Sequence, residues 1–155
     1  MIRKIILHPD PVLRQICEPV TWFDEMLDTL IADMFETMYD APGRGLAAPQ
    51  VGIPLRLFVM DATWKEGTRG PQVLVNPEVI GASEATQTLE EGCLSIPGIL
   101  TPVTRPAVVK MRWQDQTGQA MEGEFSGFAS ACTQHELDHL NGVLSIDYQE
   151  KPNAG

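Results

Sequence analysis

The chain has 155 residues, 43% of them hydrophobic, which is the size of one domain and enough for one well-filled core. A formal net charge of −10 argues against the broad phosphate contacts of nucleic-acid binding. Nowhere do about 18 apolar residues run together, so no membrane span is expected, and the apolar run at 5–7 is too short for a signal-peptide core.

Cys17, Cys93 and Cys132 cannot all pair within one chain, and a reducing compartment keeps them as thiols. With neither an export signal nor a membrane span indicated, the expected setting is soluble and cytoplasmic.

After a start punctuated by Pro9, Pro11 and Pro19, the spacing of Met26, Leu27, Leu30, Ile31, Met34, Phe35 and Met38 predicts an amphipathic helix over 24–39. Thr21 or Asp24 caps it, Asp40 and Pro42-Gly43 end it, and its apolar stripe must cover a sheet. The segment GRGLAAPQVG, residues 43–52, is built of small residues with neither period and reads as a loop approached closely by something else. Strands are expected over 55–60 and 73–75, with the polar stretch 61–72 around Trp64 between them. A further pair, 107–113 and 120–125, reads as a hairpin.

Beyond Gly127, FASACTQHELDHLNG lacks proline and has the composition of a buried helix that Asn141-Gly142 terminates. No internal repeat or linker appears. The expectation is one domain over 1–155, of class α+β. Mainly antiparallel sheets should pack against the N-terminal amphipathic helix and around the C-terminal one.

That last helix contains His135-Glu136-Leu137-Asp138-His139, an HExxH pattern. Residues four apart share a helix face, so both imidazoles can reach one metal ion. Glu136 lies about 60° round the helix from His139, beside the open position of such a site, where it can act as a base. Asp138 reads as helix charge, with fixing a histidine tautomer as its alternative role.

A catalytic site of this kind needs a third protein ligand. A histidine six residues past the second is excluded because Ser145 stands there, and Asp147 and Glu150 are weak candidates. Upstream, Cys93 lies in Glu90-Glu91-Gly92-Cys93-Leu94-Ser95. Acidic neighbours disfavour a free thiolate nucleophile, whereas a divalent cation deprotonates a thiol outright. A metal ligand fits better, with Glu91 paired to Arg105 to steady the loop.

Three motifs in this order, GRGLAAPQ, EGCLS and QHELDH, resemble those of the peptide deformylase family. The likeness extends through the HPDPVLR opening, the helix ending MFETMY and the QHELDHLNGVL close, covering nearly the whole chain.

The resemblance implies that Cys93, His135 and His139 hold the metal, that Glu136 is general acid and base, and that Gln50 with the backbone amide of Leu94 forms an oxyanion site. It also implies that Gly45 lines the substrate cleft, flanked by Arg44 and Leu46. Gly92, Leu100, Ala131 and Cys132 complete the expected cleft. The implied cofactor is one divalent ion per chain, Fe2+ physiologically, with Zn2+, Ni2+ or Co2+ able to replace it. Nitrogen and sulfur ligands do not choose among these. The implied substrates are the N-formylmethionyl nascent peptides of bacterial protein synthesis, handled by a monomer.

Four features depart from the family pattern. Arg44 occupies a position that is commonly aliphatic, and Leu100 one where some members carry arginine. Ala131 and Thr133 are smaller or more polar than usual beside the methionine pocket. The tail 149–155 is too short for the helix some members use on the ribosome, which argues against ribosome docking. Other readings of the same ligands are an amidohydrolase acting on another N-formyl amine and a catalytically silent metal-binding homologue.

Overall fold

The computed structural model describes residues 1–149. Helix α1 spans Glu25–Asp40. Of the two caps expected, Asp24 is the one used, its carboxylate accepting from the backbone N–H groups of Met26 (3.0 Å) and Leu27 (3.1 Å). Leu27, Leu30, Ile31, Met34 and Met38 form its buried stripe.

The stripe covers β1 (Gly45–Ala47) and β2 (Leu57–Met60), which pair antiparallel. The loop expected over 43–52 is therefore corrected to a three-residue edge strand running into a 3-10 turn, Ala48–Val51. Leu46 and Ala47 are both buried, so no alternation betrays the strand.

Strand β3, Gln72–Ala82, is far longer than the three residues expected. Pro77 and two register shifts break its pattern, and within the first shift, between Val75 and Glu78, Asn76 sits at φ 50°. Its side chain ties the strand to Val20 and to Gln114.

Two strands were not anticipated: β4 (Thr86–Cys93) and β5 (Ile96–Pro106) form a separate two-stranded sheet. Pro97, Pro102 and Pro106 suppress the strand signal in β5, and β4 has few apolar positions to alternate.

The expected hairpin is present as β6 (Val108–Gln114) and β7 (Ala120–Ser126), shifted by about one residue. It completes a five-stranded antiparallel sheet in the order β1-β2-β3-β6-β7. Helix α2, Gly127–Leu140, packs on that sheet and ends as read, at Asn141-Gly142. A Cβ on Gly142 would lie 2.5 Å from the carbonyl oxygen of Arg14, and its φ is +73°. Only glycine closes this turn.

The architecture is thus α+β, with the HExxH helix between the large sheet and the β4–β5 hairpin. No described helix is long and apolar enough to cross a membrane. Glu150 and the rest of the tail beyond Gln149 lie outside the described residues.

Candidate active site

Helix α2 and strand β4 meet at three donor atoms. His135 and His139, one turn apart, place their ring centroids 5.0 Å from each other. At the end of β4, the Cys93 sulfur lies 3.4 Å from His139 Nε2. The sulfur and the two imidazoles offer ligand atoms all within 4.8 Å of one another. Asp147 is engaged elsewhere, receiving two hydrogen bonds from Arg14.

Glu91, two residues before Cys93, orients this set. Its Oε1 lies 2.9 Å from His135 Nδ1, which leaves His135 Nε2 for an ion. Arg105 grips the same carboxylate with Nε (2.7 Å) and Nη2 (2.9 Å) and reaches Asp138 Oδ2 with Nη1 (2.9 Å). The Glu91–Arg105 pairing expected from sequence is present. Asp138, in contrast, bonds Arg105 and Tyr148 rather than a histidine, so the tautomer is fixed by Glu91.

The residues fit a divalent ion. One thiol and two imidazoles are a donor set for zinc, iron, nickel or cobalt. Glu136 Oε1 and His139 Nδ1 are buried without any hydrogen-bond partner.

Glu136 is nearly inaccessible, at 4% exposure. Burial pushes its carboxyl up to about 7, opposed by nearby His135 and assisted by Glu91. A Cβ on Gly45 would come within 2.5 Å of Glu136 Oε2 and 3.1 Å of the Cys132 sulfur. The glycine therefore holds open the space between β1 and the buried carboxyl.

Gln50, 1% exposed, projects from the 3-10 turn after β1. Its Oε1 accepts from the Ala47 N–H at 2.9 Å, which turns its amide nitrogen toward Ser95 Oγ (3.0 Å) and the Cys93 sulfur (3.7 Å). Leu94 follows Cys93 in the turn between β4 and β5.

These groups lie in a cleft of about 660 Å³. Arg44, Gly45, Gly92, Leu100, Ala131 and Cys132 line it, together with Gln50, Glu136 and Leu94. Leu46 is not among them, because its side chain is wholly buried against α1. Thr133 also points away, its hydroxyl 3.3 Å from Met60 Sδ in the core.

Sequence reasoning missed Phe128, Leu89, Ile99 and Lys65, which line the cleft too. A signal for Phe128 did exist: it precedes Ala131, Cys132 and His135 at helical spacing.

A cysteine-histidine-histidine donor set, a buried carboxyl of raised pKa and a fixed amide at the base of an open cleft match what a metal-dependent hydrolase requires. The family model described as Polypeptide deformylase matches residues 2–154. A peptide deformylase of Afipia carboxidovorans is 52% identical over 150 residues, covering 97% of this chain and 88% of that protein. One from Brucella suis is 48% identical, with 97% and 86% covered. The crystal structure of the Thermotoga maritima peptide deformylase superposes with a TM-score of 0.92 at 46% identity, covering 97% of this chain and 99% of that one. The chain belongs to the peptide deformylase family, hydrolases that act on N-formylmethionyl peptides.

Proposed function

We propose that this chain removes the formyl group from the N-terminal formylmethionine of newly synthesised proteins, using Cys93, His135 and His139 to hold one divalent ion. The observation that carries the reading is the Cys93 sulfur meeting the His139 ring, with Glu136 buried next to Gly45. Fe2+ is the ion we assign, and Zn2+, Ni2+ and Co2+ suit the same donors.

A divalent ion at these donors supplies a Lewis acid that acidifies water and neutralises charge at the formyl oxygen. Glu136 takes the proton of the attacking water and returns it to the departing amine as the C–N bond breaks. The Gln50 side-chain amide and the Leu94 backbone N–H donate to the oxygen that gains negative charge, each contributing a few kcal/mol when preorganised. Gly45, Arg44, Gly92, Leu100, Ala131 and Cys132 shape the cleft around the methionyl peptide. The products are formate and a free methionine N-terminus.

Glu136 and Gln50 also argue against a silent metal-binding homologue, because a structural site needs neither base nor oxyanion donor. We assign the activity to a cytoplasmic monomer, where formylated nascent chains emerge, without direct nucleic-acid contact.

The test is anaerobic purification with added metal, then formyl-Met-Ala-Ser as substrate, following formate and peptide-bond cleavage separately. Formate release with an intact backbone is expected. Glu136→Ala should abolish it while the metal content stays unchanged; backbone cleavage, or loss of metal with Glu136, overturns the assignment.

A further inference from the structure

The cleft carries two cations that the deformylation chemistry does not use. Arg44 and Lys65 both line it, on the side built by the segment before β1 and the turn Trp64–Glu66. They share the cleft with Glu90, Glu91 and Glu136 but stand on its opposite-charge side, in a chain of net charge −10.

Both are held in place. The Arg44 guanidinium lies 4.9 Å over the Phe128 ring, and its Nη2 donates to Glu66 Oε1 at 3.1 Å. Its Nε is buried with no hydrogen-bond partner. Lys65 Nζ donates to the Pro42 carbonyl at 3.1 Å, and the turn that carries it is anchored by the Trp64 Nε1 bond to the Gly43 carbonyl at 2.9 Å.

Their position relative to the reacting carboxyl sets which part of a substrate they meet. Gly45 abuts Glu136, so the formyl end of a peptide lies there. Arg44 and Pro42 precede Gly45 in the segment that enters β1, a strand paired on one edge only, and both line the cleft. An extended peptide gains about 3.4 Å per residue, so the residues after the formylmethionine are the ones that extend from Gly45 into the part of the cleft lined by Arg44 and Pro42.

Of the acids that share the cleft, Glu90 is solvent-exposed and Glu136 is buried with its carboxyl pushed up to about 7 by burial. Glu91 is tied up by Arg105 and His135, and Glu66 is 63% exposed, where an ion pair is weak and exchangeable.

We propose that Arg44 and Lys65 make the cleft selective for formylmethionyl peptides carrying an acidic side chain at the second or third position. Arg44 supplies the direct contact, through the donors that Glu66 does not take, and Lys65 adds attraction at longer range. The inference rests on the deformylase reading above.

The test compares kcat/KM for four C-terminally amidated peptides: formyl-Met-Ala-Ala, formyl-Met-Glu-Ala, formyl-Met-Ala-Glu and formyl-Met-Lys-Ala. At least one glutamate peptide should exceed the alanine peptide roughly three- to tenfold, as expected of a charge-assisted hydrogen bond in a partly exposed cleft. The lysine peptide should fall below it, and the preference should shrink between about 0.05 and 0.5 M salt.

Arg44→Met keeps an apolar cover over Phe128 and should bring the ratio toward one, while Glu66→Gln should raise it. Equal values for alanine and glutamate, a preference for lysine, or an unchanged ratio in Arg44→Met overturns the proposal. The wild-type series decides by itself if that variant does not fold. Formate from none of the four peptides would instead sink the deformylase reading.

Discussion

The Glu91 carboxylate joins Arg105 to His135, holding the guanidinium at 2.7 and 2.9 Å and the imidazole Nδ1 at 2.9 Å. A strand residue thereby fixes both the ring orientation and the tautomer of a histidine on a helix. Replacing Glu91 by Gln removes the charge that holds the Nδ1 proton and should weaken metal binding about 10- to 100-fold. Zinc competition against a chelator measures it. An unchanged affinity would show that the pair only braces the fold.

Gly45 carries a steric prediction. Gly45→Ala forces a methyl group to within 2.5 Å of Glu136 Oε2, so either the carboxyl or β1 must move. A displacement of this kind costs roughly 100-fold in rate. Because the metal donors are not touched, metal content should stay at the wild-type level, and kinetics beside elemental analysis separate the two effects.

Gln50 is aimed by its own backbone bond to Ala47. Gln50→Ala should lower kcat by about 10²- to 10³-fold, the range for one oxyanion donor. It also strands the Ala47 N–H and the Ser95 hydroxyl, at a stability cost of about 1–3 kcal/mol. Thermal melts alongside kinetics read both, and a full-rate variant would remove Gln50 from the chemistry.

Asp147 carries a pH dependence remote from the metal. The hydrogen bonds from Arg14 hold its carboxyl below the usual range, against a small opposing effect of burial, with the Leu144 N–H helping. A depressed acid stabilises the fold above its unfolded pKa of about 4, and that stability fades as pH falls through the lower folded value. Asp147→Asn should therefore lower Tm at pH 7 and converge on wild type once the pH falls below the depressed folded value. The pair is 45% and 36% exposed, so the difference should stay within about 1 kcal/mol. A gap that widens in acid would contradict the sign.

Much of this site was legible before the fold was. HExxH states its own geometry, because helical spacing is fixed, and α1 and the β6–β7 hairpin announce themselves by period. What the residues concealed were facts of tertiary contact. The β4–β5 hairpin has little apolar alternation, so nothing local marks it as two strands. Leu46 directly follows the cleft-lining Gly45, yet it faces the core, which only the direction of β1 decides. The choice of Glu91 over Asp138 as the partner of His135 likewise depends on which element passes the helix.

The β4–β5 hairpin shares no ladder hydrogen bonds with the five-stranded sheet, yet it carries the thiol that faces two imidazoles on α2. An ion bound between them acts as a rivet joining otherwise separate layers, so part of its binding energy appears as mechanical cohesion. Starved of that ion, the molecule should offer its hairpin to a protease while the larger sheet stays shut, turning limited digestion into a gauge of loading.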